Sequence, residues 1–389
     1  MATKQYVCYY IVITLEILTF FGVISNSRLI SKHEVLPPHE HALKTIKTQY
    51  GDIYDCVDFY KQPSLSHPSL KNHSFYPEMM PTYVPKGKEE ASQNETVSSF
   101  LEAIKLKDGG CPKGTVPIRR TLKDGVLPPI SSLPHIHDSN SSNYIRPGTF
   151  YAIAETKNDV RRSYYGAGAY ISIYKTRIYE PVEYSSAELI IKSGSDSIIV
   201  GWTVNPSVYH DNQTRLFVYT LMDDKPCFNA QCGFVSTRRD LPPDVVITQF
   251  STRGGQPFVI RVLIYKEVHT GNWWLKVHDE IIGFWPASAL KSLSEYGTYV
   301  ACGGEVYFPN RASWAVPPDM GCGYKPTKKG HIQDNAFCQF FSKINEDNQL
   351  VDVDGTVEYV NDPDNYRVWD QGYTGQQLGH VVLFGGPFK

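Results

Sequence analysis

From Thr149 to its end the chain is cut into short runs rich in β-branched and aromatic residues, each closed by a turn signal. That spacing dictates the class of fold open to it. Runs of this kind are Tyr165-Gly-Ala-Gly-Ala-Tyr-Ile-Ser-Ile-Tyr and residues 186–191, 197–204, 215–221, 258–265, 273–277 and 300–308. Between them stand Ser193-Gly-Ser-Asp, Asp211-Asn, Arg253-Gly-Gly and Thr270-Gly-Asn, which turn the chain where an extended strand must stop. Only 286–295 reads as one or two helical turns, and no internal repeat of fixed period is visible. Many short strands at this spacing specify an all-β fold, an antiparallel β-sandwich of jelly-roll type or a barrel.

Composition narrows the function classes. A chain of 389 residues fits two domains. At 41% hydrophobic and 13% aromatic it can bury a core, unlike a disordered chain. A net charge of −2 provides no basic field for nucleic acid. After the first thirty residues, no apolar run approaches the roughly 20 residues that cross a bilayer. Residues 1–27 themselves have the form of a secretory signal peptide. Lys4 supplies the positive start, 9–24 are largely apolar with Glu16 interrupting, and Ser25-Asn26-Ser27 offers small residues for cleavage. The expectation is a secreted protein with no stable membrane association after that cleavage. Glycosylation acceptors at Asn72, Asn94, Asn140 and Asn212 agree with export.

Seven cysteines follow the signal: Cys56, Cys111, Cys227, Cys232, Cys302, Cys322 and Cys338. Cys227 and Cys232 stand in a loop short enough to close on itself, so a local disulfide is expected in an oxidising compartment. A zinc site would need a second ligand pair at suitable spacing, and none is present. The pairing of the other five stays open, and the odd count leaves one thiol over.

Ahead of the strand-rich part, residues 28–123 are punctuated by proline and form a small, mostly β or irregular unit. A short helix is expected near 39–47, a strand in Gly51-Asp-Ile-Tyr-Asp-Cys-Val, and a polar helix with little to bury over 94–107. Residues 124–149, with Leu127-Pro-Pro and Ser139-Asn-Ser-Ser-Asn, read as a linker open to a processing protease. The sandwich then occupies 150–389.

Several catalytic signatures are absent: Gly-x-Ser-x-Gly, His-Glu-x-x-His, a phosphate loop and a dinucleotide fingerprint. Carboxylate chemistry remains. Two carboxyls held together cannot both ionise easily, so one keeps a proton as an acid while the other takes one from water. Glu305 is the leading candidate. It follows Gly303-Gly304, where a substrate backbone could approach, and by strand alternation it shares a face with Gly303 and Tyr307. A solvated glutamate on a sheet surface would look the same locally.

Longer motifs carry a resemblance. Gly201-Trp-Thr-Val-Asn-Pro, Thr270-Gly-Asn-Trp-Trp-Leu, Gly283-Phe-Trp-Pro, Gly303-Gly-Glu-Val and the Cys227-x4-Cys232-Gly-Phe loop are similar to those of the neprosin family of plant proteins. Lys44-Thr-Ile-Lys, Gly51-Asp-Ile-Tyr-Asp-Cys-Val, His67-Pro-Ser-Leu-Lys-Asn-His and Cys111-Pro-Lys-Gly-Thr-Val-Pro-Ile-Arg-Arg resemble its activation peptide. The resemblance implies a secreted zymogen of the apoplast or cell wall, whose activation peptide is removed at acid pH. It implies a glutamic endopeptidase that cleaves after proline with two glutamates and a water, without metal or other cofactor. Its partners would be a proline-containing peptide or protein and its own activation peptide.

Glu305 falls on one catalytic glutamate of that family. The second is expected just before the Gly201-Trp202 motif, at the position of Ile199. An isoleucine cannot carry a proton, which leaves Glu188 on the preceding strand as the nearby substitute, at a place where the family commonly has glutamine. Trp202 and Tyr307 are the expected aromatic contacts for substrate. With the pair broken at Ile199, the competing expectation is an inactive extracellular protein that binds peptide or cell-wall material.

Overall fold

Period-two alternation after Thr149 builds two antiparallel sheets laid face to face. The computed structural model of the chain describes residues 36–85, 94–120 and 147–387, apart from 158, 160, 223, 224, 311, 313, 314 and 328–330. The signal-type leader 1–27, nearly all of the linker 124–149 and Asn140 lie outside the described residues.

Strands β1 (Ala42–Lys47), β2 (Ile53–Asp58) and β3 (Thr115–Arg119) form a small antiparallel sheet, with helix α1 (Asn94–Ile104) between the last two in sequence. The chain then runs through β4 (Thr149–Thr156), β5 (Gly166–Ser172), β6 (Tyr184–Ser193), β7 (Asp196–Val204), the short α2 (Pro206–Tyr209), β8 (Arg215–Met222), β9 (Lys225–Phe228) and β10 (Val235–Ser236). It continues through β11 (Val259–Lys266), β12 (Trp273–Val277), β13 (Glu280–Trp285), β14 (Tyr299–Tyr307) and β15 (Ala336–Ile344). It ends with β16 (Leu350–Asp352), β17 (Thr356–Val360), β18 (Arg367–Tyr373) and β19 (His380–Gly385). One sheet has seven strands in the order β17-β4-β14-β6-β7-β8-β9. The other has nine, β10-β13-β12-β11-β5-β15-β19-β18 with β16 beside β15. The expected turns in 286–295 are two 3₁₀ turns, Ala287–Ala289 and Ser292–Ser294. No described helix is long and apolar enough to cross a membrane.

The main core lies between the sheets. Ala152, Leu189, Val200, Trp202 and Val218 of one meet Ile171, Val262, Leu275, Phe341 and Val382 of the other. Cys302 of β14 and Cys338 of β15 join the two layers through a disulfide, which closes a loop left open by the sequence.

The three-stranded sheet buries Val57, Phe59, Val116 and Ile118 against Trp274, Ile281, Phe284 and Val235, on the outer face of the nine-stranded sheet. A second disulfide, Cys56–Cys111, ties it internally. Polar contacts set its position. The Gln62 side chain accepts from Ser236 N at 2.9 Å and donates to Ser236 O at 3.3 Å, pairing with the edge strand β10 as a backbone would. Asp52 makes a two-oxygen contact with Arg215, at 2.9 and 3.0 Å, and Asp211 takes a further guanidinium N–H at 2.6 Å. Arg215 is wholly buried, so losing Asp52 would leave a charge with too few partners.

Two local expectations change. Residues 42–47 are a strand, not a helix. Leu43 and Ile46 are three apart as on a helix, yet Leu43 faces solvent and the ladder with β2 satisfies the backbone. The helix over 94–104 does bury a face. Phe100, Leu101 and Ile104 join the main core, and the Phe100 ring lies 4.7 Å from that of His278.

Candidate active site

Strand register decides which side chains meet on the outer face of the seven-stranded sheet. One cross-strand row reads Tyr151, Glu305, Ser186, Thr203, Arg215. The next reads Ile153, Gly303, Glu188, Gly201, Phe217, and the third Glu155, Ala301, Ile190, Ile199, Tyr219. Glu188 therefore stands diagonal to Glu305 on the adjacent strand, with a glycine on each side. A Cβ on Gly201 would lie 1.9 Å from Ala187 O, and one on Gly303 would lie 2.3 Å from Ala152 O. The glycines draw the strands together and remove both side chains that would crowd Glu188. Sequence reasoning assigned Gly303 to substrate approach; its observed neighbour is this carboxyl.

The two carboxyls are close enough to interact directly. Glu188 is 2% exposed and Glu305 5%. Burial first, then the charge of Glu305, hold Glu188 well above the usual carboxylate range. Its Oε1 is buried with no hydrogen-bond partner. On the other carboxyl, Oε1 of Glu305 accepts from the Tyr184 hydroxyl. The arrangement holds a proton on one carboxyl beside a second that is supplied with a donor, the requirement for acid and base work on one water.

Ile199 puts an apolar side chain at the position where the sequence motifs lead one to expect a second carboxyl. Strand β6 separates β7 from β14, so residue 199 is about 10 Å of sheet from the Glu305 strand at roughly 4.8 Å per strand. Its side chain packs with Ile190, Tyr219 and Tyr299 in an apolar cluster. Glu188, from the strand between, takes the place beside Glu305. Trp202 is also displaced from its expected role. It points the other way, is fully buried in the intersheet core and donates its indole N–H to Ser172 O at 2.8 Å. Alternation is the reason: Gly201 and Thr203 face the glutamates, so Trp202 cannot. Tyr307 does share the face and stacks on Tyr184, with ring centroids 5.6 Å apart.

Sequence reasoning missed Tyr184, Tyr219, Tyr299 and Glu155. The charge of Glu305, after burial, raises the Tyr219 phenol, which places that ring within its field. Glu155 accepts from the Tyr299 hydroxyl at 2.7 Å, and burial lifts its carboxyl to about 7. Each of these residues lies on the glutamate face by parity, but parity alone does not say which strands adjoin.

Among the described residues no group of three His, Cys, Asp or Glu side chains could hold a metal ion. Cys227 and Cys232 form a disulfide, Cys322 is a free thiol among the described residues, and Asn72 and Asn212 are exposed.

The Neprosin activation peptide model matches residues 45–157, across the linker and into β4, and the Neprosin model matches 181–387. Among solved structures, the chain is similar to Scytalido-glutamic peptidase with a peptide based transition state analog, at 10% identity and a TM-score of 0.35, over 62% of this chain and 98% of that one. It is also similar to CG-16, a homodimeric agglutinin from chicken liver, at 10% identity and a TM-score of 0.20, over 38% of this chain and 86% of that one. The Neprosin match alone spans more than half of the sequence and includes both glutamates of the pair, and on that ground the protein belongs to the Neprosin family.

Proposed function

We propose that this chain is the precursor of a glutamic endopeptidase in which Glu305 is the general base and Glu188 the general acid. The observation that carries the reading is the buried pair of neighbouring carboxyls, Glu188 and Glu305, diagonal to each other on β6 and β14. A water between carboxyl and substrate gives a proton to Glu305 as its oxygen bonds to the peptide carbonyl carbon. Glu188 gives its proton to the carbonyl oxygen, leaving a neutral gem-diol. Collapse then breaks the C–N bond. Glu305 passes its proton to the departing nitrogen, and Glu188 recovers one from a diol hydroxyl. Both groups end as they began.

Preference for cleavage after proline, export to the apoplast or cell wall, and removal of residues 28–123 at acid pH belong to the same proposal. The sequence motifs, the signal-type leader and the activation-peptide match support them. Burial of both carboxyls in the intact chain suits a precursor that acquires activity on processing. The binding-only reading rests on Ile199, whereas the Glu188–Glu305 pair supports the peptidase reading.

The test is cleavage of a proline-rich peptide by acid-treated protein across pH 3–8. Glu188 must be protonated, so activity is expected on the acid side of its raised pKa and should fall as pH rises through it. Glu188→Gln and Glu305→Gln should each lower kcat by about 10²- to 10⁴-fold. Absence of cleavage by the wild-type protein at every pH would end the proposal.

A further inference from the structure

Tyr184 opens β6 four residues before Glu188 and pairs across the ladder with Tyr307 of β14. Parity puts its ring on the face that carries both glutamates. The ring is buried and lies nearly parallel to that of Tyr307, with 19° between the planes, so stacking fixes the direction of the phenol O–H. That O–H donates to Oε1 of Glu305. The opposite carboxyl has no matching support, because Oε1 of Glu188 is buried without a partner.

Hydrogen-bond donation favours the ionised form of a carboxyl, and burial without donors favours the protonated form. Two carboxyls sharing one proton would otherwise be free to exchange roles. Here the donor stands on one side only. We propose that Tyr184 is the positioning residue that assigns the roles, holding Glu305 as the ionised base and leaving the shared proton on Glu188. The inference rests on the reading of the pair as a hydrolytic dyad.

The other ionisable groups around the pair are placed differently. Tyr151 is Glu305's ladder neighbour on β4, and Tyr219 approaches from β8. Glu155 and Tyr299 form their own hydrogen bond one row beyond Glu188. Lys192 is four residues along β6 from Glu188. Arg215, at the far end of Glu305's row, is engaged by Asp52 and Asp211.

The test is Tyr184→Phe, which keeps the stacked ring and removes only the hydroxyl. In acid-processed protein acting on a proline-containing peptide, kcat should fall about tenfold to a hundredfold while KM changes less than about twofold. The acidic limb of kcat/KM, which reports ionisation of the base, should move up by about one pH unit, a tenfold change in that ionisation constant. A purely structural role would leave that limb in place, and an unmoved limb overturns the proposal.

A second measurement does not need activity or the variant. Carboxyl 13C titration of the wild-type chain, labelled at glutamate Cδ and assigned with Glu305→Gln, should show Glu305 ionising at lower pH than Glu188. The reverse order overturns the proposal even in an active peptidase. If the wild-type protein cleaves nothing, the dyad reading fails, and the order of ionisation still decides the place of the proton.

Discussion

At the scale of single residues, buried His278 responds to a change of solvent acidity. Both ring nitrogens are buried without partners, beneath Phe100 of α1. Burial first, then the charges of Arg261 and Lys276, push its pKa down to about 3. A histidine depressed in this way contributes stability above its ordinary value near 6.5, and that contribution is lost as pH falls from there toward 3. The whole interval is worth on the order of 5 kcal/mol. Acidification should therefore loosen the packing of α1. Amide hydrogen exchange in Asn94–Ile104, corrected for intrinsic rates, should be at least tenfold faster at pH 4 than at pH 7. His278→Leu should flatten that difference, and an equal difference in the variant would refute the assignment. Glu305 was legible from the local Gly-Gly-Glu string. Glu188 could be named only as a substitute for Ile199, since a glutamate in a strand is ambiguous until its neighbours on both sides are known to be glycines.

Among the elements, the spacing between β6 and β7 controls the site. Gly201→Ala would force a Cβ against Ala187 O, at a cost of about 1–3 kcal/mol, and would shift the strand beside Glu188. Thermal melting should show the loss, and kcat should fall with it if the peptidase reading holds. Ile199→Glu gives the contrasting result. It would bury a carboxyl in the cluster of Ile190, Phe217 and Tyr219, two strands from Glu305. The expected outcome is a lower Tm and no gain in peptide cleavage. A gain would return the second catalytic position to residue 199. The strands themselves could be read from the sequence because alternation and turn residues are local. Register could not, because each strand's partner is set by contacts tens or hundreds of residues away, such as β4 with β14. The segment 42–47 failed for a related reason: six residues are too few to separate a period of two from one of 3.6.

For the molecule as a whole, buried carboxyls divide into two sets with opposite responses to pH. Glu155, Glu183, Glu188 and Asp244 are raised, each chiefly by burial. They contribute stability that is complete below the ordinary carboxylate range and is lost as pH rises through their folded values. Asp370 is lowered: burial opposes the shift, but hydrogen bonds from His380 and Thr356 overcome it, and its contribution disappears on acidification. Glu155→Gln isolates the first set, since an amide oxygen can still accept from Tyr299. The variant should melt higher than wild type at pH 8, by up to about 3 kcal/mol of stability, and should show no such gain at pH 4. Equal shifts at both values would refute the assignment. The sequence alone distinguished a first 150 residues with 16 basic against 14 acidic side chains from a remainder with 22 against 26. It did not reveal that the seam is reciprocal, with Asp52 reaching Arg215 while Lys105 reaches Glu280.

The row through Glu305, Ser186, Thr203 and Arg215 also makes the sheet a ruler. Three strand spacings of about 4.8 Å separate the backbone of Arg215 from that of Glu305 by some 14 Å, close to the span of four residues of extended peptide. In the intact chain Asp52 is clamped at that mark. Removing the segment would strip Arg215 of its bidentate partner and leave Asp211 as its carboxylate contact. The same cut that frees the sandwich would thus uncover a cation at a fixed distance from Glu305.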